Sequence, residues 1–398
     1  MSITRRVAGA FAALALAASS AIAAPSGQPI RIGSTLALTG PLAATAQIHK
    51  LVGDIYVEQL NAKDGLLGRP VEWIVRDDQS KPELARTLYE QLITVDKVDL
   101  LMGPYATGAI LSAMGVAQRY NKMLIHHTFG IPSLAKYEMQ FPTWSLGPDP
   151  AVTFPNTLFD ALAASPKPPK TFAFVTSKFP SVHFMARGAR EVAKKRGLNE
   201  VLFLEWEFGN KDFGPIAARI KDANPDFIWV GALGLEGNQL LDALKKIDYT
   251  PKEHFYMYPA PGQMAKSPEG DLALAATIFE EHPPYTNNPG AAAFIKVFNE
   301  RAAKAGLTDT AVDTQAAASY TAWQVLEAAV TATKSLDDKV LADWIKTHKI
   351  DTIQGKLRFD GPSNYGDDLM VVKQVQNGRW VVVWPKDKAA PGAKLVVR

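Results

Sequence analysis

The chain has 398 residues, 47% of them hydrophobic, with 43 Lys and Arg against 40 Asp and Glu, a formal net charge of +3 and no cysteine. The charges are interspersed rather than clustered, so nothing favours nucleic acid as a partner. Without disulfides stability must come from burial, and this length supplies it in about two domains.

The first 23 residues, "MSITRRVAGAFAALALAASSAIA", place two arginines before an apolar run and end on small residues. This order predicts a secretory signal peptide over 1–23. Its removal takes away Arg5 and Arg6, so the net charge falls from +3 to about +1. No later stretch reaches the length of a spanning helix, and no cysteine follows the cleavage region to carry a lipid. The expectation is a soluble, monomeric protein exported by ordinary secretion to the periplasm.

From residue 30 onward, apolar runs of strand length alternate with helical patterns. "IRIGSTLAL", "VEWIVRDD", "VDLLMG" and "KMLIHHT" are separated by "ATAQIHKLVGDIYVEQLNAK", "PELARTLYEQLITVD" and "TGAILSAMGVAQRYN". This rhythm predicts right-handed crossovers in a mostly parallel sheet with both faces covered. The rhythm breaks near "SLGPDPAV", at Gly147, Pro148 and Pro150, and restarts with "TFAFVTS", "EVLFLEWEF", "PDFIWVGAL" and "HFYMYPA". Two long helical patterns, "AAAFIKVFNERAAKAG" and "AASYTAWQVLEAAVTATK", then precede a hairpin turning at Asn377-Gly378.

In open parallel sheets ligands sit beyond the carboxyl ends of the strands, where helices begin with unpaired N–H groups. Three such loops stand in the first half: Thr39-Gly40-Pro41, "GPYATGA" and "HHTFG". They predict a floor for a small anion. Thr107 suits the cap of the helix starting there, and Gly108 suits close approach of a ligand, although an ordinary tight turn explains both. His126 and His127 are adjacent, so on a strand they point to opposite faces and grip one metal poorly; one of them is a hydrogen-bond donor to ligand or a core residue. In the second half "GALGLEGNQ" is only loosely like a dinucleotide fingerprint, and its Glu236 reads as a solvated carboxylate at a helix start or as an acceptor facing a cleft. Tyr105, Phe129, Phe179 and Tyr258 stand near strand ends, where they pack the core or together sandwich an apolar ligand body. Nucleophile elbows, Walker loops, zincin motifs and EF-hand loops are missing from the sequence, and it indicates no enzyme, no metal and no cofactor.

The segments "IRIGSTLALTGPLA", "NAKDGLLGRPVEWIVRDDQSKPELARTLYEQLI", "LLMGPYATGAI", "KDFGPIAARIKDANPDFIWVGAL" and "GKLRFDGPSNYGDDLMVVKQVQNGRWVVVWP" together resemble the periplasmic solute-binding proteins of ABC transporters, specifically the leucine/isoleucine/valine-binding-protein-like family. The resemblance covers nearly all of the mature chain. It implies an α/β fold of two Rossmann-like lobes, the type I periplasmic binding protein arrangement, joined by a three-strand hinge. It assigns 28–147 plus 281–357 to lobe one and 148–280 plus 358–398 to lobe two and the hinge return. Carried over by position, it implies ligand contacts from Tyr105, Ala106, Thr107, His127, Thr128, Phe129 and Gly130 on lobe one. On lobe two it implies Phe179, Ser181, Glu236 and Tyr258. Gly130 stands where amino-acid binders tend to carry a hydroxyl, and Ser181 stands where a tyrosine is common. These departures suit a bulkier ligand such as an aromatic carboxylate, while Glu236 keeps an amino acid open. The implied partners are a small carboxylate-bearing solute and a membrane permease. The competing readings are a secreted hydrolase using His127 with a carboxylate, and a soluble ligand sensor.

Overall fold

The computed structural model describes residues 25–260 and 262–398, so the expected signal peptide lies outside the described residues. The first sheet is parallel and carries its strands in the order β2-β1-β3-β4-β5. Its elements are β1 (Ile30–Leu36), α1 (Ala43–Lys63), β2 (Val71–Asp77), α2 (Pro82–Thr94), β3 (Leu100–Met102), α3 (Thr107–Arg119), β4 (Leu124–His126) and β5 (Gln140–Pro142). β1 is buried at all but one position, which is what a central strand covered on both faces requires.

After α4 (Pro150–Ala163) a second sheet is built from β6 (Thr171–Ser177), β7 (Asn199–Trp206), β8 (Phe227–Gly234), β9 (Glu253–Pro259) and β10 (Leu274–Thr277). Between these strands lie α5 (Pro180–Lys195), α6 (Gly214–Ala223), α7 (Glu236–Lys246) and the short α8 (Gln263–Lys266). The chain returns through α9 (Ala291–Lys304), α10 (Thr314–Thr333) and α11 (Asp338–Thr347), and α9 and α10 pack on α1 beside the first sheet. A small hairpin, β11 (Ile350–Thr352) and β12 (Gly355–Leu357), follows. β13 (Val371–Gln376) and β14 (Arg379–Trp384) then add antiparallel to the second sheet, giving the order β14-β13-β10-β9-β8-β6-β7. Asn377 and Gly378 both have positive φ, as the two-residue hairpin turn demands.

The chain therefore crosses between the sheets three times, and two of the crossings touch. Leu146 and Asp368 form an antiparallel bridge, and the Leu369 N–H donates to the Ser145 carbonyl at 2.8 Å. This is the two-lobed, three-strand-hinged fold implied by the resemblance.

Two sequence expectations change. Pro150 does not interrupt a regular element but opens α4 at its first position, where a missing N–H costs nothing. β4 ends at His126, so His127 and Thr128 belong to the loop beyond it. α4 and α5 come together through a local exchange: Pro155 cannot donate to the Ala151 carbonyl four residues earlier, and Gly188 of α5 packs on that same oxygen. A Cβ at Gly188 would lie 2.3 Å from it. Gly188→Ala gains about 1 kcal/mol of helix propensity but meets an overpacking cost of about 1–3 kcal/mol against backbone that has no room to yield. We expect net destabilisation in urea unfolding; a rise in midpoint would contradict this packing.

Candidate functional site

Two helices begin at the same place between the lobes. α3 starts at Thr107 on lobe one, and α5 starts at Pro180 and Ser181 on lobe two. The first turns of both helices carry N–H groups with no intrahelical acceptor, and the helix dipoles add partial positive charge there. They face one cavity. Tyr105, Ala106, Thr107, Thr128 and Gly130 line it from lobe one, and Phe179, Ser181, Leu233 and Tyr258 from lobe two. Trp144 of the first crossing and Gln315 of α10 complete it. The cavity volume is about 10 Å³, room for roughly one water.

The lobe-one wall is held by reciprocal hydrogen bonds between its two loops. The Ala106 N–H donates to Thr128 Oγ1 at 3.0 Å, and the Gly130 N–H donates to Thr107 Oγ1 at 3.2 Å. Because the Thr107 oxygen accepts from Gly130, its own proton is left for the cavity. The expected N-cap role of Thr107 passes to Ala106, since no side-chain cap forms and Thr107 is already the first helical residue. Ala106 sits at φ 74 and ψ 147, a region that suits glycine and costs about 1–3 kcal/mol for other residues. That strain lies in a residue that lines the cavity.

Gly130 marks a close approach of the lobes, because a Cβ there would lie 2.8 Å from the Ser181 Cβ of lobe two. The two departures noted in the sequence thus compensate each other: with small residues on both sides, the lobes touch. Gly108 plays a different part from the one expected. Its missing side chain makes room for Pro82 of α2, since a Cβ at Gly108 would lie 2.9 Å from the proline ring, and it does not line the cavity.

The structure brings together Tyr105, Ala106, Thr107, Thr128, Gly130, Phe179, Ser181 and Tyr258, and keeps three expected residues off the cavity wall. His127 lies beneath it, stacked on His49 with ring centroids 4.2 Å apart, and His49 in turn lies 4.8 Å from the Tyr105 ring. Phe129 turns into the lobe-one core, edge-on to His126. Glu236 opens α7, and its Oε1 accepts from the Gly209 N–H at 3.0 Å and from Trp206 Nε1 at 3.2 Å. Burial raises its pKa, and the Gly209 N–H opposes the rise. The Thr39-Gly40-Pro41 loop does not reach the cavity either: Thr39 Oγ1 donates to Asp77 at 2.7 Å, and Gly40 packs against Ser80. Trp144, Leu233 and Gln315 are wall residues that no sequence pattern singles out. Trp144 follows a strand of only three residues, too short for a period to register, and sits edge-on to Tyr258 at 5.0 Å. Gln315 reaches the cavity from a helix nearly two hundred residues further along the chain.

His49, His126 and His127 are buried, and burial lowers the pKa of each. Burial holds His126 at about 4 despite its 2.6 Å contact with Gln140 Oε1. Burial also takes His49 to about 3, with the Gln315 carboxamide pulling the other way, and it holds His127 well below the ordinary value. Among the described residues no three His, Cys, Asp or Glu side chains gather as metal ligands, and no carboxylate pairs with His127.

Comparison with known proteins gives a consistent result. The family model for periplasmic binding proteins matches residues 29–379. The Leu/Ile/Val-binding protein of Escherichia coli is 24% identical over 339 residues, covering 84% of this chain and 87% of that one. A leucine-binding protein from Thermotoga maritima superposes with a TM-score of 0.76 at 19% identity, covering 89% of this chain and 97% of that chain. An ABC-transporter solute-binding protein of R. palustris, solved in complex with benzoate, gives a TM-score of 0.75 at 18% identity over 93% of this chain and 98% of that chain.

Two outcomes follow from this geometry. Gly130→Val places atoms where Ser181 already lies, so we expect a larger radius of gyration in small-angle scattering with little loss of lobe stability; an unchanged profile would show that the lobes do not meet here. His49 and His126 have folded pKa values below the unfolded value of 6.5, so the unfolded chain takes up protons first as pH falls. Their stabilising contribution is complete above about pH 6.5 and is lost progressively toward pH 4 and below. The matching spectroscopic expectation is that their ring proton resonances stay constant from pH 8 to pH 5; titration near 6.5 would contradict the burial.

Proposed function

The chain belongs to the periplasmic binding protein family, and on that premise we propose that it captures a small carboxylate-bearing solute, an aromatic acid, between its lobes and delivers it to the permease of an ABC transporter. The observation that carries this reading is the convergence of the α3 and α5 starts on one cavity. Two partly positive helix ends brought face to face in a space without bulk water oppose closure, and an anion between them removes the opposition. The proton of Thr107, the hydroxyl of Ser181 and the free N–H groups of both first turns are donors suited to a carboxylate.

Charge alone does not choose among acids, but the walls do. Tyr105, Trp144, Phe179 and Tyr258 present aromatic surface. Glu236, the acid suited to an ammonium group, is not on the wall, and one of its two oxygens is held by Gly209 and Trp206. An aromatic acid without an α-amine fits this arrangement better than a branched aliphatic amino acid. In this reading lobe one comprises 28–147 and 281–357, lobe two and the hinge return comprise 148–280 and 358–398, and the leader at 1–23 directs the chain to the periplasm. Among the described residues no helix is long and apolar enough to cross a membrane. Ligand contacts exist on both lobes only in the closed form, so binding shifts the population toward closure and the permease reads the closed pair. No bond need be made or broken.

Thr107→Ala removes a charge-assisted donor and leaves the Gly130 N–H without its acceptor, so benzoate affinity measured by calorimetry falls by about 1–2 kcal/mol. An unchanged affinity would take Thr107 out of the site. In the same samples benzoate amides and esters remain intact over hours while thermal unfolding shifts upward with benzoate; turnover would instead indicate a hydrolase.

A further inference from the structure

The space at the paired helix starts is too small for the body of any aromatic acid, yet it shares two walls with a much larger one. Tyr258 and Gln315 line both the 10 Å³ cavity and a chamber of about 500 Å³ that lies between lobe two and the start of α10. A chamber of that size is typical of small-molecule sites. We propose that the chamber is the distal half of the solute site, taking the far end of an elongated carboxylic acid whose tip carries a hydrogen-bond donor, a hydroxyl or an ammonium group. The inference rests on the carboxylate reading above and adds the length and tip chemistry of the solute.

The chemistry of the tip comes from what the chamber leaves unmatched. Tyr258 OH and Thr314 Oγ1 are each on residues more than nine-tenths buried, and neither has a hydrogen-bond partner. Buried polar groups without partners are costly, so their clustering in one chamber marks a place where a ligand's polar atoms fit. Thr314 faces the chamber and not the smaller cavity.

Charge decides between a donor and a second anion. Glu280, Glu281, Asp309 and Asp313 stand on the chamber wall. Glu280 is neutralised by Lys373 at 2.7 Å, both of them buried, and the Lys373 ammonium also lies 4.8 Å from the Trp380 ring centre. Lys266 donates to the Thr308 carbonyl, and Arg379 is exposed. Asp313 Oδ1 caps α10 by accepting from the Gln315 and Ala316 N–H groups, both at 3.0 Å. Asp313 and Asp309 therefore stand as carboxyl acceptors on the same wall as the unpartnered hydroxyls, which suits a donor at the solute's tip better than a second carboxylate. Trp380 supplies an apolar side for a ring or an unsaturated linker.

The test is calorimetry with four acids: benzoate, cinnamate, para-hydroxycinnamate and para-aminomethylbenzoate, each against the wild-type protein, Thr314→Val and Asp313→Asn. The last variant keeps an N-cap of equal quality, so it removes the acid without removing the helix start. At least one donor-tipped acid should bind roughly tenfold or more tightly than benzoate and cinnamate. Thr314→Val should weaken para-hydroxycinnamate about tenfold while benzoate changes less than twofold. Asp313→Asn should weaken para-aminomethylbenzoate more than para-hydroxycinnamate, which separates the two tips. Benzoate binding as tightly as the donor-tipped acids, or Thr314→Val acting on all four equally or on none, would overturn the distal chamber and leave the carboxylate reading standing. Absence of binding by all four acids would overturn both.

Discussion

The arrangement depends on two helix starts, one from each lobe, that meet across a hinge. Each carries backbone donors that its own helix cannot satisfy, and each carries the positive end of an aligned set of peptide dipoles. In water such ends are solvated and harmless. When α3 and α5 approach closely enough for Gly130 to touch Ser181, water is squeezed out and the donors need another acceptor. That single requirement links fold to function: closure is favourable when an anion is present and less so when it is absent. The third helix start nearby, that of α7, differs because its own first residue, Glu236, already supplies a carboxylate.

The rest of the molecule holds these two ends in place. Parallel sheets put every helix start at the carboxyl edge of its sheet, and the three crossings let the two edges face each other. The strained backbone of Ala106 is kept by the Thr128 hydroxyl that accepts its N–H. Beneath the loop, the stacked rings of His49 and His127, with Tyr105 tilted against His49, form a buried layer that gives it a firm base. Close approaches without side chains, at Gly130 between the lobes and at Gly188 between α4 and α5, fix distances that a single methyl group would change.

Much of this was legible in the sequence, for identifiable reasons. The alternation of apolar runs with helical patterns reveals two parallel sheets because buried strands must be apolar on both faces. Thr107 is visible because a polar residue opening a helix after a strand has few other places to be, whereas Ser181 enters only through the family resemblance. What escapes is what alternation and long-range return decide. His127, Thr128 and Phe129 are consecutive, but only Thr128 faces the cavity, since β4 stops at His126 and the loop turns its neighbours inward. Trp144 and Gln315 arrive from a crossing strand and from a distant helix, and no local pattern ties them to α3. The pairing of Gly130 with Ser181 is a relation between lobes, invisible to any reading that takes residues one at a time.

The central claim is that negative charge on the solute, rather than its apolar surface, draws the two helix starts together. Benzoate and benzamide have nearly the same shape and differ in that charge, so the decisive measurement is their relative affinity for the wild-type protein at neutral pH and low salt. The account predicts that benzoate binds and benzamide binds far more weakly, with the difference shrinking as salt is added. Equal affinity for the acid and its neutral amide would contradict it.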